Sequence, residues 1–117
     1  MDKIGHEALL FDFYGQLLTE KQIVILEMYV NNDFSLGEIA EELGISRQGV
    51  HDTVKRSVKA LEEYEERLGL VKRFMGQKDI LLNIKSHILE MKADPEIREN
   101  AENKLDEINT LLDKLIT

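Results

Sequence analysis

The stretch 35–54 constrains this chain more than any other part of it. Ser35-Leu36-Gly37-Glu38 has the form of a capping box. In such a box a hydroxyl accepts an orphan amide at the start of a helix, and an acidic side chain three residues on reaches back. The helix so begun, over 36–43, is predicted to end at Gly44, where a left-handed residue suits glycine. Ile45 follows as an apolar plug, and Ser46 caps the next helix. Ala40 is small where two helices have to approach closely, and Val50 and Val54 face inward with Ile45. A small residue, a glycine in the turn and apolar plugs at these spacings are the parts that fix the angle of a helix-turn-helix.

Elsewhere the apolar periodicity is helical, and no segment sustains the alternation of a strand. Ile4, Leu9, Leu10, Phe13, Tyr14, Leu17 and Leu18 fit one face of a first helix over roughly 6–18. Thr19-Glu20-Lys21-Gln22 is a second capping box, opening a helix that runs to about Tyr29 and is broken by Asn31-Asn32-Asp33. Beyond Ser46, the residues Val50, Val54, Ser57, Leu61, Tyr64, Leu68, Val71 and Met75 alternate in steps of four and three. That seam, with a period of about 3.5, predicts one long fourth helix over 47–75, stopped at Gly76 and spanning roughly 43 Å. A fifth helix is predicted over about 77–92. Asp94-Pro95 is a strong start for a sixth over 95–116. The expected fold class is all-α: a helix-turn-helix domain over 1–60 and a helical extension over 61–117. The long fourth helix runs into that extension, which holds two extra C-terminal helices and is expected to dimerise.

The net charge of −8 argues at first against nucleic acid. The average hides a change of sign, because 47–60 holds Arg47, Lys55, Arg56 and Lys59 against Asp52 alone. Any contact with a polyanion belongs there. The chain has no cysteine, which excludes disulfides and thiolate metal sites. No apolar run approaches the roughly 18 residues of a membrane span. MDKIGHEALL lacks the parts of a secretory signal, so a cytoplasmic setting without membrane insertion is expected.

The second helix of a helix-turn-helix enters the major groove of DNA by its N-terminal end. Here that end is Ser46-Arg47-Gln48-Gly49. Arg47 has the fork to grip guanine or a phosphate, and Gln48 the amide to pair with adenine. Gly49 permits close approach of a backbone, and His51 and Asp52 follow on the outer face. Ser46, Lys55 and Arg56 are candidates for phosphate contacts, with Lys59 beyond them. The plainer alternative is a solvated face, in which Lys55, Arg56 and Lys59 pair with Glu62 and Glu63 at helical spacing.

The run LLTEKQIVILEMYVNNDFSLGEIAEELGISRQGVHDTVKRSVKALEEYEERL resembles region 4 of sigma factors. With LLFDFYGQ before it and the tail after it, nearly the whole chain resembles the YlxM-like family of small bacterial helix-turn-helix proteins. The motifs are 11–14 (FDFY), 33–40 (DFSLGEIA), 46–48 (SRQ) and 62–65 (EEYE). Gly49 and His51 stand where that pattern has a small alanine-like residue and often an aromatic one. The resemblance implies a sigma-region-4-like domain with extra C-terminal helices and a homodimer. It also implies a link to the signal recognition particle pathway, whose protein components are encoded beside family members.

Enzymatic chemistry has little support. His6, His51 and His87 are scattered, there is no glycine-rich phosphate loop, and no metal or cofactor is expected. A rival to DNA binding is a protein-interaction factor, because the seam and the two C-terminal helices offer more apolar surface than a small domain buries alone. Structured RNA, such as that of the signal recognition particle, is a third partner class. None of the seven aromatics falls within 47–60 to serve as a stacking platform.

Overall fold

The computed structural model describes residues 2–116, which form six α-helices and, among the described residues, no strand. They are α1 (Lys3–Tyr14), α2 (Glu20–Leu26), α3 (Leu36–Leu43), α4 (Arg47–Leu68), α5 (Leu70–Ala93) and α6 (Pro95–Ile116). The chain packs as two compact units that meet in sequence between Val71 and Lys72, inside α5, rather than after residue 60.

In the first unit, side-chain chemistry sets the helix starts. The Asp2 carboxylate accepts the Gly5 amide at 2.7 Å, so α1 begins at Lys3, ahead of the residue 6 predicted. It ends at Tyr14 in a 3-10 turn over Gly15–Leu17. The capping box of Thr19 and Gln22 forms with both of its bonds. The helix it opens stays α-helical only to Leu26, then widens to a π-turn over Glu27–Asn31. The Asn32 amide closes that turn on the Glu27 carbonyl, and Asp33 leaves it with a positive φ of 56°. Asp tolerates this conformation better than most residues, and here it reverses the chain ahead of α3.

Leu10, Tyr14, Ile25, Leu26, Ile39, Val50 and Leu61 are fully buried and come from every helix of this unit up to α4. Each such side chain contributes roughly 1.5–3 kcal/mol by leaving water. Ser57 is buried among them and donates to the Thr53 carbonyl at 2.6 Å, so its hydroxyl is not left unpaired.

The single long helix predicted over 47–75 is not formed. α4 stops at Leu68, because Gly69 takes a left-handed φ of 62°, and α5 starts at once. Two side chains far apart in sequence receive the new helix. The Tyr14 hydroxyl donates to Glu65 Oε1 at 2.6 Å and accepts the Leu70 amide at 3.0 Å. Glu65 Oε1 also accepts the Val71 amide at 2.9 Å. Leu68 is left 57% exposed, although the seam had placed it inside. Gly76, the predicted stop, lies within α5, which therefore starts seven residues before the 77 predicted.

The second unit is an antiparallel pair made by the rest of α5 and α6. Asp94 caps α6 by accepting the Glu96 amide at 3.0 Å, and Pro95 is the first helical residue, as its missing N–H allows. Ile88, Leu105 and Leu112 are buried between the helices, with Leu81, Ile97, Ala101 and Ile116 packed around them. Ion pairs Lys85–Asp113 and Lys92–Asp106 fix the register.

Candidate nucleic-acid interface

The helix-turn-helix is built as its sequence dictates. Ser35 and Glu38 exchange both capping bonds, at 3.1 and 3.0 Å. α3 ends at Gly44, with φ 68° and ψ 32°. The amides of Gly44 and Ile45 both turn back onto the Ala40 carbonyl, which satisfies an orphan acceptor at the helix end. Ala40 is buried at that point, and Ile45 is half-buried. The Ser46 hydroxyl then accepts the Gly49 amide at 2.9 Å and starts α4.

α4 has two opposite stripes. Val50, Thr53, Val54, Ser57 and Leu61 are buried. Arg47, Gln48, His51, Asp52, Lys55, Arg56 and Lys59 are exposed. Of the eight candidate residues, six therefore share the outward stripe. Ser46 stands at its N-terminal end as the cap. Gly49 is half-buried, and a Cβ there would stand 3.0 Å from the Ser46 hydroxyl oxygen, so glycine leaves room for the cap.

Asp52 organises the stripe. Gln48 Nε2 donates to its carboxylate at 3.0 Å, His51 Nδ1 lies 3.6 Å from the same oxygen, and Arg56 Nε reaches its carbonyl at 3.4 Å. Gln48 is thereby held with its carbonyl and its second N–H open, and the guanidinium of Arg56 keeps its terminal nitrogens. Lys55, Arg56 and Lys59 form no ion pair within 4 Å with Glu62 or Glu63 among the described residues. Exposed Glu38, Glu41 and Glu42 on α3 keep the neighbouring surface acidic.

A cleft opens on each side of α4. The larger, of about 530 Å³, is lined by His51, Lys55, Lys59, Lys3 and Tyr29 among others, and carries the carboxyls of Glu7 and Glu62. The smaller, of about 250 Å³, is lined by Thr19, Lys21, Gln22, Thr53 and Arg56. Lys21 was not among the sequence candidates. In sequence it is an unremarkable residue within a capping box, and only the packing of α2 beside α4 places it on the cleft that Arg56 also lines.

The family model described as "Putative helix-turn-helix protein, YlxM / p13 like" (UPF0122) matches residues 1–108. A UPF0122 protein of Acetivibrio thermocellus is 53% identical over 114 residues, covering 92% of this chain and 97% of that protein. One from Thermoanaerobacter sp. is 54% identical over 107 residues, covering 89% and 92%. One from Listeria monocytogenes is 41% identical over 87 residues, covering 74% and 79%.

Proposed function

The chain belongs to the UPF0122 family of YlxM- and p13-like helix-turn-helix proteins, and from that premise we propose that it binds duplex DNA through the outward stripe of α4 as a regulatory protein. The observation that carries this reading is the division of α4 into a buried stripe and an exposed stripe that holds Arg47, Lys55, Arg56 and Lys59. The turn at Gly44 presents the N-terminal end of α4, where Arg47 and Gln48 stand, as a groove-reading helix requires. Arg47 and Gln48 are assigned to base edges. Ser46, Lys55 and Arg56 are assigned to backbone, while His51 and Asp52 orient the contacts between them. With four cations in the stripe and an acidic remainder, the affinity is modest and falls steeply with salt.

The test is fluorescence anisotropy of a labelled duplex from the gene's own operon at low and physiological salt, with the triple variant Arg47/Lys55/Arg56→Ala as control. Salt-sensitive binding that the control abolishes is expected. Absence of binding at low salt would defeat the DNA reading and turn attention to protein contacts, beginning with the targeting machinery that the family resemblance implies.

A homodimer built through the second unit is part of the same proposal. Ile80, Ile84 and Met91 on α5, and Ile108, Leu111 and Leu115 on α6, are exposed at helical spacing. A two-helix hairpin buries too little to use them all, whereas a second copy would complete a four-helix bundle.

A further inference from the structure

We infer that the larger cleft, between α1 and α4, binds a small amphoteric ligand with one ammonium and two acidic groups, of the class of the acidic amino acids, and that its ammonium is taken by Glu7. The site is independent of the DNA reading, since Glu7 and Tyr29 lie outside α4. The cleft holds about 530 Å³, within the range of small-molecule sites. Of the charged side chains that line it, only Glu7 is buried, at 5% exposure, and its Oε2 finds no donor among the described residues. A buried carboxyl without a donor is uncommon, because it gives up its hydration and gains no bond in return. The last torsion of a glutamate is broad, so either oxygen can be turned to a ligand. The lysines of the same cleft do not supply the missing donor. Lys3, Lys55 and Lys59 are exposed, and neither they nor Glu7 and Glu62 belong to an ion pair within 4 Å among the described residues.

The π-turn over Glu27–Asn31 is a second sign of a site. Such turns recur where proteins bind or react, and this one holds Tyr29 in the wall of the cleft. Tyr29 is half-buried, and its hydroxyl makes no hydrogen bond among the described residues. The charges then choose the ligand. Three lysines oppose a simple cation, and the carboxylates of Glu7 and Glu62 oppose a simple anion. His51 also lines the cleft but lies 3.6 Å from Asp52. Leaving it aside, the lysines outnumber the glutamates by one. One ammonium and two acidic groups balance that excess. The ammonium belongs with the buried carboxyl, where an unmet acceptor waits, and the acidic groups belong with the exposed lysines.

The measurement is a titration of the isotope-labelled full chain with L-glutamate and with L-aspartate at constant ionic strength, read from the amide resonances. Glutarate, which lacks the ammonium, and γ-aminobutyrate, which lacks one acidic group, are the controls. Saturable shifts at the amides of Glu7, Tyr29 and Lys59 are expected with at least one of the two amino acids. Each control gives up a charge-assisted bond, so its affinity should be lower by about tenfold or more. Glu7→Gln keeps the shape of the side chain and removes the charge that takes the ammonium. It should abolish saturation while melting no lower than wild type. Lys59→Ala, at an exposed position, should weaken the amino acids several-fold, and it carries the test with the two controls if Glu7→Gln does not fold. Glutarate binding as well as glutamate, or binding unchanged in Glu7→Gln, would mean that the lysines alone hold an anion and would overturn the assignment. No saturable shift with either amino acid at millimolar concentration would overturn it as well.

Discussion

The Glu7 carboxyl is 5% exposed, and its Oε2 finds no donor among the described residues. Burial pushes its pKa above the ordinary 4.5; Lys3 draws it back, Glu62 pushes it further up, and His6 draws it back again. A carboxyl raised in the folded state binds a proton more tightly there than in the unfolded chain. Its contribution is therefore complete below pH 4.5 and is lost as pH rises through the folded value. Glu7→Gln should melt a few degrees above wild type at pH 7, with the gap closing below pH 4.5. Parallel melting curves across that range would show that the buried charge costs nothing. Glu38 is the opposite case. Bonds from the Ser35 amide, then from its hydroxyl, hold Glu38 below the ordinary range, so the support it lends α3 is complete above that range and is lost as pH falls through the lower, folded value. On the outward stripe of α4, roles separate by chemistry. Arg47→Ala should relax sequence preference, at a cost of about 1–3 kcal/mol on the preferred duplex, while Lys55→Ala should weaken all duplexes alike. Competition titrations with matched and scrambled duplexes distinguish them, and equal small losses from both changes would contradict these roles.

At the scale of elements, the two glycines of the α4–α5 stretch make opposite predictions. Gly69 is left-handed, so Gly69→Ala should destabilise the first unit by about 1–2 kcal/mol in denaturant melts. Gly76 is helical and a Cβ there would meet nothing within 4 Å, so Gly76→Ala should stabilise by up to about 1 kcal/mol. The reverse pattern would restore the unbroken helix that the sequence suggested. The reason the break was missed is physical. The apolar seam runs at the same period through Gly69 as before it, and the groups that receive the new helix, Tyr14 and Glu65, are 51 residues apart. Tyr14→Phe should accordingly speed hydrogen exchange at the Leu70 amide more than at amides of α6. Where a boundary is written in neighbouring side chains it was legible: Ser35 with Glu38, Gly44, Ser46 and Asp94-Pro95 place α3, the start of α4 and α6 where the structure has them. The outward stripe of α4 was legible for the same reason, since helical spacing alone sorts Arg47, Gln48, His51, Asp52, Lys55 and Arg56 from Val50 and Val54.

For the whole molecule, the balance of apolar surface and charge decides how it can act. The second unit buries Ile88, Leu105 and Leu112, yet leaves Ile80 at 62% and Leu115 at 65% exposure. Exposed apolar residues repeating along both helices of one hairpin suit a self-complementary interface, in which each copy covers the other. The mass by light scattering should therefore be that of two chains at micromolar concentration. Leu111→Glu with Leu115→Glu should give a monomer whose first unit melts as before. A monomeric wild type would sink the dimer. The consequence for DNA follows from the charge. One α4 stripe offers few cations, in a chain of net charge −8. Each phosphate neutralised adds about 0.9 to the salt slope, so two copies on one duplex roughly double it. The monomeric variant should then bind with about half the wild-type slope and much lower affinity, although no residue of α4 has changed. A variant that is monomeric and keeps the full slope would mean that a single stripe supplies every contact, and that dimerisation serves some other end.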